Sequence, residues 1–282
     1  MVSVASELNR MQQAILAAGS QIESPEALHI GVKHSAGYSE RFTSIDTAIS
    51  SLLLQRAREV FPQSYSEEDL PESPLTDKYF WQIDPLDGTD ELIEGRLPFC
   101  GVSAALHKLR VDGQYEPIAG LLYLPAPEVM VVGDTANNHL AITRKGRDCR
   151  IRERDRSRVR GYVRECDPND EVKAYYHALG TKFGIRSESI NCGGAVHAFV
   201  SLILDEINVL CFNYGYSKEW DVSAAEPILK LLGGFLCDLD GAPFTYNRED
   251  FLNRRGFLAS ISFAQNELMQ TEAKLALSKK HR

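Results

Sequence analysis

The sequence lacks paired cysteines, a basic net charge and long apolar runs. None of its six cysteines stands in a C-x-x-C pair, which excludes zinc-ribbon and thioredoxin-type sites. Widely spaced cysteines are typical of reduced thiols, so we expect a cytoplasmic protein. The net charge of −8 argues against a chain that coats a nucleic acid polymer or an anionic membrane.

No stretch of the sequence predicts a membrane span or a secretory leader. The N-terminal segment has no basic start, and Glu7 and Arg10 interrupt its apolar positions. The most apolar later stretch, AVHAFVSLILDEINVLCF, is broken by Asp205 and Glu206, whereas a spanning helix needs about 20 apolar residues. We therefore expect no membrane partner.

Apolar residues at helical spacing predict two helices before residue 62. The first occupies residues 4–18, with Gly19 as its stop. The second starts at Thr43 or Ser44, either of which can cap it, and ends before Pro62.

The middle of the chain has the pattern of short strands. Five segments rich in β-branched and aromatic residues lie close together, at 79–83, 98–107, 117–125, 129–133 and 139–144. Their short gaps predict an antiparallel meander. A further helical pattern occupies residues 221–234 and ends at two glycines. Helices and antiparallel strands in separate runs predict an α+β fold built in layers.

The densest chemical signal is the stretch WQIDPLDGTDELIEG, residues 81–95. It contains several acids in close succession, which are Asp84, Asp87, Asp90, Glu91 and Glu94. Two unit charges about 4 Å apart repel by roughly 4 kcal/mol at an effective dielectric near 20. A turn at Asp87-Gly88 would direct Asp84 and Asp87 at one point. Converging carboxylates of this kind favour a hard divalent cation such as Mg²⁺.

A phosphate site is predicted beside these carboxylates. Thr89 begins a short helix through Leu92, and the amides of Gly88 and Thr89 at its N-terminus form a cradle for a phosphate. Metal-binding carboxylates next to phosphate-binding amides predict metal-assisted phosphoryl chemistry. For this motif alone, an acidic surface turn is the alternative.

Four segments resemble the signatures of one enzyme family. DPLDGTDEL is similar to the D-P-[IL]-D-G-T signature of the lithium-sensitive, Mg²⁺-dependent phosphomonoesterases, and WDVSAAEPILKLLGG to their W-D-x-x-A-A…A-G-G. SEED at 66–69 resembles their upstream acidic pair, and TSID at 43–46 their upstream helical Asp. The chain thus resembles inositol monophosphatases, fructose-1,6-bisphosphatases and 3′(2′),5′-bisphosphate nucleotidases, with all four segments in family order.

The resemblance implies a fold and an organisation. We expect one phosphatase unit over residues 1–282, folded as a layered α-β-α-β-α sandwich. Its N-terminal, metal-binding half would cover about 1–145 and its C-terminal half about 160–270. The expected partner is a small-molecule phosphate monoester, and members of this family are commonly homodimers.

The resemblance also assigns metal ligands. Glu67, Asp84 and the carbonyl group of Leu86 would hold a first Mg²⁺. Asp84, Asp87 and Asp221 would hold a second. One ion would lower the pKa of a bound water and the other would stabilise the leaving oxygen.

Catalytic and phosphate-binding roles follow from the same resemblance. Thr89, with Glu67, would orient and deprotonate the attacking water, and the amides of Gly88 and Thr89 would bind the phosphate. Asp46 would hold a weaker third Mg²⁺ or relay a proton. We interpret the remaining acids of the stretch as solvated residues favoured by the helix dipole; they are Asp90, Glu91 and Glu94.

Substrate preference is assigned from smaller likenesses. DPLDGTDEL is closer to the D-P-L-D-G-T-K-E-F form of bisphosphate nucleotidases, although Asp90 stands where that form has Lys. SKEWD, which contains Lys218, resembles bacterial nucleotidases, whereas NCGGAVHAF, which contains Gly194, is similar to inositol phosphatases. We expect Lys218 and Gly194 to lie in the substrate wall.

Tyr214 is the third candidate for the substrate wall. It stands seven residues before Asp221, where the inositol enzymes place a sugar-binding Glu. A tyrosine there can stack on a base, which contributes about 1–3 kcal/mol, or it can simply pack in the wall. We therefore expect adenosine 3′,5′-bisphosphate as substrate. Inositol monophosphate or sugar phosphates are the alternative, and a non-catalytic phosphate-binding scaffold is a third possibility.

An Arg-rich segment covers residues 144–164, with ten Lys or Arg against three acids. Arg at alternate positions from 150 to 160 suggests one solvent-facing side of an extended segment. The segment is either a solvated connector between the two halves or a patch for phosphate-rich ligands or an acidic partner.

Overall fold

The computed structural model describes residues 3–23, 28–35, 38–151, 153–164, 170–213 and 215–270. The helices are α1 (Val4–Glu23), α2 (Ser44–Arg58), α3 (Thr89–Ile93), α4 (Asp170–Phe183), α5 (Ala195–Ile203), α6 (Glu219–Ser223), α7 (Ala225–Leu231) and α8 (Gln265–Met269). The strands are β1 (Ile30–Ser35), β2 (Tyr38–Thr43), β3 (Tyr65–Ser66), β4 (Tyr79–Asp87), β5 (Gly101–Leu109), β6 (Tyr115–Leu124), β7 (Val129–Asp134), β8 (His139–Arg144), β9 (Arg147–Asp148), β10 (Arg158–Val163), β11 (Arg186–Asn191), β12 (Leu210–Phe212), β13 (Phe235–Cys237) and β14 (Phe257–Ser260).

The central sheet has seven strands in the order β3-β4-β5-β6-β7-β8-β9. Each neighbouring pair from β4 to β9 is antiparallel, whereas β3 runs parallel to β4. The predicted antiparallel meander is confirmed, since β4 to β8 overlap the five predicted segments.

Alternation along β4 shows how this sheet supports a core on each face. Trp81 and Ile83 pack in the core that includes α1 and α2. Phe80 packs in the opposite core, with residues of α5 and α7. Successive side chains of a strand point to opposite faces, so a strand between two helical layers must be apolar on both.

Beyond α5 and α7 lies a further pair of layers. Strands β10 and β11, which α4 connects, pair in parallel. Strands β12, β14 and β13 form an antiparallel sheet in that order. Tyr175, Tyr176 and Leu179 of α4 pack against these strands. The order helix, sheet, helix, sheet, helix confirms the expected layered α+β sandwich. The division into halves of about 1–145 and 160–270 stays a prediction.

Helix α1 continues through Gly19 to Glu23, so the predicted stop at Gly19 is wrong. Gly19 serves packing instead, because a Cβ atom there would lie 2.5 Å from Cε1 of Tyr123 in strand β6. Helix α2 begins as predicted. Thr43 is its N-cap, and the Asp46 carboxylate accepts a hydrogen bond from the Thr43 amide at 2.7 Å.

The helical segment at 221–234 is two helices rather than one, so the prediction of a continuous helix is wrong. Helices α6 and α7 meet at Ala224. A Cβ atom at Gly120 in β6 would collide with the carbonyl oxygen of Ala224. The sheet therefore approaches the junction closely, which only glycine permits. The second helix ends before Gly233, as predicted.

The Arg-rich segment is not simply a solvent-facing ladder. Arg160 donates to Asp155 at 3.0 Å and to the buried Asp205 at 2.7 Å, and its side chain is 15% exposed. Other arginines of the segment do lie at the surface. Arg158, for example, forms an exposed ion pair with Glu188. The guanidinium groups attach this connector to the C-terminal layers, which a period-two pattern alone did not indicate.

Two further predictions concern bulk properties. Within the described ranges, no helix has the length and apolarity needed to span a bilayer. The cysteines that the structure describes are free thiols, and four of the five are buried. Cys166 lies outside the described residues.

Candidate active site

A cavity of about 470 Å³ lies where the central sheet meets the C-terminal layers. Nearly all site residues predicted from the sequence line it; they are Glu67, Asp84, Leu86, Asp87, Gly88, Thr89, Gly194, Lys218 and Asp221. Asp46 lies behind Thr89 rather than in the lining. Tyr214 lies outside the described residues, so its expected role stays a prediction.

Strand β4 extends beyond residue 83, where the sequence predicted its end, and therefore includes Asp84. The strand continues to Asp87, with an irregular register between Asp84 and Asp87. Asp84 is 2% exposed, and its carboxylate accepts from the Leu86 amide at 3.1 Å. Gly88 then takes a φ of +90°, and a Cβ atom there would lie 3.1 Å from the carbonyl oxygen of Phe99. The bend that separates β4 from α3 therefore requires glycine.

Burial and mutual repulsion act together on the carboxylates. Burial raises the pKa of Asp84 well above its usual value, and the charges of Glu67, Asp87 and Asp221 raise it further. Burial followed by the charge of Asp221 raises the pKa of Asp87 to about 7. Burial also raises the pKa of Asp221 to about 6, although a hydrogen bond from the Lys218 amide opposes the shift. These carboxylates therefore share one region, in which the nearby positive charges do not offset burial and mutual repulsion.

The donor set fits a hard divalent cation, because it consists of carboxylate oxygens and one carbonyl group. A cation there would remove the repulsion that raises these pKa values. The described part of the chain contains no group of three His, Cys, Asp or Glu side chains already arranged to hold a metal ion. Three of the acids are instead hydrogen-bonded to amides. Besides Asp84, Asp87 accepts from Ala195 and Val196 at 2.9 and 2.7 Å, and Asp221 accepts from Lys218 at 2.7 Å.

Lys33 is a site residue that the sequence did not reveal. Its ammonium group, on strand β1, donates to Glu67 at 2.8 Å and to Glu68 at 2.6 Å. In the β1–β2 hairpin, Lys33 lies directly opposite Glu40. Glu40 in turn accepts from Lys218 Nζ at 2.9 Å. The hairpin thus covers one side of the cavity, and ion pairs of Lys33 and Glu40 attach it there.

Thr89 and Asp46 form a hydrogen-bonded pair beneath the cavity. The Thr89 hydroxyl donates to Asp46 Oδ1 at 2.8 Å. The other oxygen, Oδ2, accepts from the amide and hydroxyl groups of Thr43 at 2.7 and 2.6 Å. Burial raises the pKa of Asp46, while these hydrogen bonds oppose the shift. The carboxylate is fixed in a position to receive a proton from Thr89.

Glu91 is not a solvated helix acid, so that interpretation is wrong. Its side chain is 1% exposed and accepts two hydrogen bonds from the guanidinium of Arg164, at 2.8 and 2.7 Å. Arg164 follows strand β10, 73 positions later, which is why local sequence did not show the pair. Asp90 and Glu94 are exposed, as predicted.

Gly194 and Lys218 both line the cavity, but they have different roles there. Gly194 precedes α5, and a Cβ atom there would collide with the Asp87 carboxylate. Its role is therefore to let Asp87 reach the amides at the start of α5. Lys218 is buried, and its ammonium lies 5.6 Å from the centre of the Trp220 ring. Trp220 Nε1 donates to Glu67 at 3.1 Å.

A buried network supports helix α6, which carries Asp221. Glu219 is fully buried and accepts from the amides of Asn247 and Arg248 and from Arg248 Nε, at 2.8, 3.0 and 2.8 Å. Asn253 donates to the carbonyl of Lys218 at 2.6 Å. These contacts hold the loop between β13 and β14 against the N-terminus of α6. The Glu of SKEWD was the only sequence signal for this network.

The family comparison covers almost the whole chain. The model of the Inositol monophosphatase family matches residues 4–275. Among curated proteins, the 3′(2′),5′-bisphosphate nucleotidase CysQ of Escherichia coli (strain K12) is 28% identical over 224 residues, 78% of this chain and 85% of that protein. Inositol monophosphatase 3 of Xenopus tropicalis is 28% identical over 193 residues, 67% of this chain. The match spans about half of that second protein, 49% of its length.

Solved structures share the fold over nearly the full length. An IMPase of Thermotoga maritima aligns with a TM-score of 0.71 over 98% of this chain and 100% of its own, at 18% identity. The extragenic suppressor protein suhB of Bartonella henselae aligns with a TM-score of 0.67 over 96% of this chain and 98% of its own, at 20% identity. At these identities the likeness shows the fold alone.

Proposed function

This chain belongs to the inositol monophosphatase family, and we propose that it is a Mg²⁺-dependent phosphatase whose preferred substrate is adenosine 3′,5′-bisphosphate. One observation carries the hydrolytic part of the proposal. The same cavity gathers the four predicted acidic ligands, Glu67, Asp84, Asp87 and Asp221, together with the Gly88-Thr89 segment. Oxygen ligands beside amides at a helix start are what a metal-bound phosphate group requires.

The metal ligands in this proposal are the acids and one carbonyl group of the cavity. Two Mg²⁺ would be held by Glu67, Asp84, Leu86, Asp87 and Asp221, with Asp46 available to a third. Bound Mg²⁺ supplies Lewis-acid polarisation of the phosphoryl oxygens and lowers the pKa of water.

The chain's own residues orient the reacting groups and move the proton. Glu67 and the Thr89 hydroxyl orient a water molecule in line with the phosphorus atom. Thr89 accepts a proton from that water and passes its own to Asp46, which already accepts its hydrogen bond at 2.8 Å. The amides of Gly88 and Thr89 hold the phosphoryl oxygens as negative charge grows on them.

Aromatic residues in the cavity lining support a nucleotide substrate. They are Tyr162, Phe212, Tyr216, Trp220 and Phe257. A base has a flat π-face that can stack on such rings, whereas a polyol has none. The likeness to the CysQ nucleotidase of Escherichia coli supports the same substrate class.

Inositol monophosphate or a sugar phosphate is the second candidate. Glu40 and Asp90 line the same cavity, and their carboxylates would accept hydrogen bonds from the hydroxyl groups of a polyol. The likeness to inositol monophosphatase 3 supports this reading.

A substrate panel tests both candidates. Release of phosphate would be measured at saturating Mg²⁺ from adenosine 3′,5′-bisphosphate, inositol 1-phosphate and fructose 1,6-bisphosphate. We expect the highest kcat/KM for the nucleotide. A preference for inositol 1-phosphate by more than about a hundredfold, near 2.7 kcal/mol, would replace the first candidate by the second. No hydrolysis of any ester would favour a phosphate-binding scaffold.

A further inference from the structure

An ion pair between Glu91 and Arg164 fixes one guanidinium in the cavity wall. Arg164 donates from Nε and Nη2 to the two oxygens of Glu91, at 2.8 and 2.7 Å. This two-bond geometry holds the guanidinium plane in a single orientation. The Glu91 side chain is 1% exposed, whereas that of Arg164 is 19% exposed. The buried acid therefore grips one edge of a cation that also borders the cavity.

The position of Glu91 ties this cation to the phosphate-binding end of the site. Glu91 lies in α3, the five-residue helix that starts at Thr89. Arg164 lines the same cavity as Asp87, Gly88 and Thr89. Its guanidinium therefore borders the pocket that contains the predicted metal ligands and the proposed phosphate-binding segment.

Burying a carboxylate in this way needs a reason beyond stability. The desolvation cost of a buried ion pair offsets much of its attraction. Apolar residues of similar size in its place often stabilise a protein at least equally well. A pair that is buried at one end and open to a cavity at the other is suited to holding a charge for a ligand.

The other cations of the described cavity lining are held differently. Arg41 pairs with Asp90 where both side chains are about two-fifths exposed, at 42% and 41%, so water screens the pair. Lys218 pairs with Glu40 and is 6% exposed. Arg164 combines a rigid orientation with partial access, which neither of the other two does.

We propose that Arg164 binds a second anionic group of the substrate, a phosphate other than the one that is hydrolysed, and that Glu91 is its positioning residue. The inference rests on the proposed phosphatase function and deepens it by naming the residue that would distinguish bisphosphorylated from monophosphorylated substrates. A planar guanidinium matches phosphate oxygens with paired hydrogen bonds, so Arg164 is the specificity-determining contact of the cavity.

Two matched substrate pairs test this inference on the full chain with saturating Mg²⁺. The first pair is adenosine 3′,5′-bisphosphate and adenosine 3′-monophosphate. The second is inositol 1,4-bisphosphate and inositol 1-phosphate. The quantity measured is the ratio of kcat/KM for the bisphosphate to that for the monophosphate, in wild type, Arg164→Met and Glu91→Gln. Arg158→Met, an exposed arginine of β10, is the control.

Arg164→Met should lower that ratio by about 30-fold, which is about 2 kcal/mol, in the range of a hydrogen bond to a charged group. The loss should appear mainly in KM for the bisphosphate, because the contact exists before and during the reaction. Glu91→Gln should lower the ratio by about three- to tenfold, since it frees the guanidinium without removing it. Arg158→Met should leave the ratio at its wild-type value.

Several results would overturn the inference. An equal loss for both members of each pair would make Arg164 a purely structural residue. A wild-type ratio near one in both pairs would show that no second phosphate is bound, while the phosphatase function would stand. No hydrolysis of any of the four esters would overturn the proposed function and this inference with it. If Arg164→Met unfolds, Arg164→Lys gives the same test, because it keeps the charge and loses the planar geometry.

Discussion

At the scale of single residues, burial decides what each acid of the 84–94 stretch does. Asp84 and Glu91 are almost fully buried; Arg164 pairs with Glu91, and the proposed Mg²⁺ would compensate the charge of Asp84. Glu94 is exposed and pairs with Arg96, whereas Asp90 is partly exposed at the edge of the cavity and pairs with Arg41. Acids that are neighbours in sequence therefore have opposite electrostatic requirements, because a strand end and a short helix turn them in different directions.

The variant Asp84→Asn should separate catalysis from stability. It removes a carboxylate predicted to bridge two Mg²⁺, so kcat should fall by at least about a thousandfold, or about 4 kcal/mol. It also removes one of several repelling charges, so the melting temperature in EDTA should stay the same or rise. Phosphate release and thermal unfolding are the two measurements. Glu94→Gln is the control, and equal turnover in the two variants would contradict the assignment.

The raised pKa values of Asp87 and Asp221 predict how stability changes with pH when metal is chelated. Their values of about 7 and about 6 lie above the usual value near 3.9. The folded state therefore binds these protons more tightly than the unfolded chain. That contribution is complete below about pH 4 and is lost as the pH rises through 6 and 7.

Thermal unfolding in EDTA between pH 5 and pH 7.5 measures this effect. The unfolding free energy should fall by more than about 1.4 kcal/mol, the equivalent of one pKa unit. Asp87→Asn should flatten the decline, because an amide does not titrate. A profile that is the same for wild type and Asp87→Asn would refute the predicted role of Asp87.

Residue roles were predictable from the sequence only where they depend on local pattern. Asp84, Asp87, Gly88 and Thr89 stand in one short signature, so their proximity is fixed by a few backbone angles. Arg164 follows β10 in a different layer, and Lys33 lies in the β1–β2 hairpin. Contacts between distant segments depend on tertiary packing, and a single sequence carries no local signal of them.

At the scale of elements, the position of α6 depends on the close approach between strand β6 and the junction of α6 with α7. Asp221 lies in α6, and α6 joins α7 at Ala224, directly over Gly120 of β6. Any side chain at Gly120 would push the junction away from the sheet, because the atom it meets is a backbone oxygen. The glycine in β6 thus sets the depth at which Asp221 enters the site.

Gly120→Ala should therefore lower both stability and metal affinity. Overpacking of a tight core costs about 1–3 kcal/mol, and the displaced α6 should raise the Mg²⁺ concentration needed for half-maximal activity. Gly113→Ala is the control, since Gly113 has a φ of +81° with no atom within 4 Å of the added Cβ. It should cost stability through its backbone angle without changing the Mg²⁺ requirement. An unchanged Mg²⁺ requirement in Gly120→Ala would contradict this account.

Elements were predicted well where their pattern is simple. The meander of β4 to β8 was predicted because short apolar strands alternate with turn residues. The parallel unit β10-α4-β11 was not predicted, because alternate arginines in β10 resemble a solvated segment. Arg160 of that strand donates to Asp205 at 2.7 Å, and Arg154, just before the strand, donates to the carbonyl of Ile203 at 3.0 Å. The strand was not recognised in the sequence because its charged side chains pair with polar groups of other layers.

At the scale of the whole molecule, the cavity joins layers that the chain builds far apart in sequence. The predicted metal ligands come from strand β4, from the segment that follows β3, and from helix α6. Arg164 follows strand β10. The net charge of −8 adds to the negative potential around these acids. A divalent cation that binds there would link the layers and offset the repulsion between them.

Mg²⁺ should therefore stabilise the folded chain as a whole. A ligand that binds only the folded state at 100 times its dissociation constant stabilises it by about 2.7 kcal/mol, or roughly 5–10 °C at about 2–4 °C per kcal/mol for a chain of this size class. Thermal unfolding with and without Mg²⁺ measures the shift, and EDTA should reverse it and abolish phosphate release. Asp84→Asn, which loses a predicted ligand to both ions, should show a much smaller shift, whereas Glu94→Gln should match wild type. A rigorously metal-free sample with full activity would refute the metal-dependent mechanism, and an equal Mg²⁺ shift in Asp84→Asn would place the cation elsewhere on the molecule.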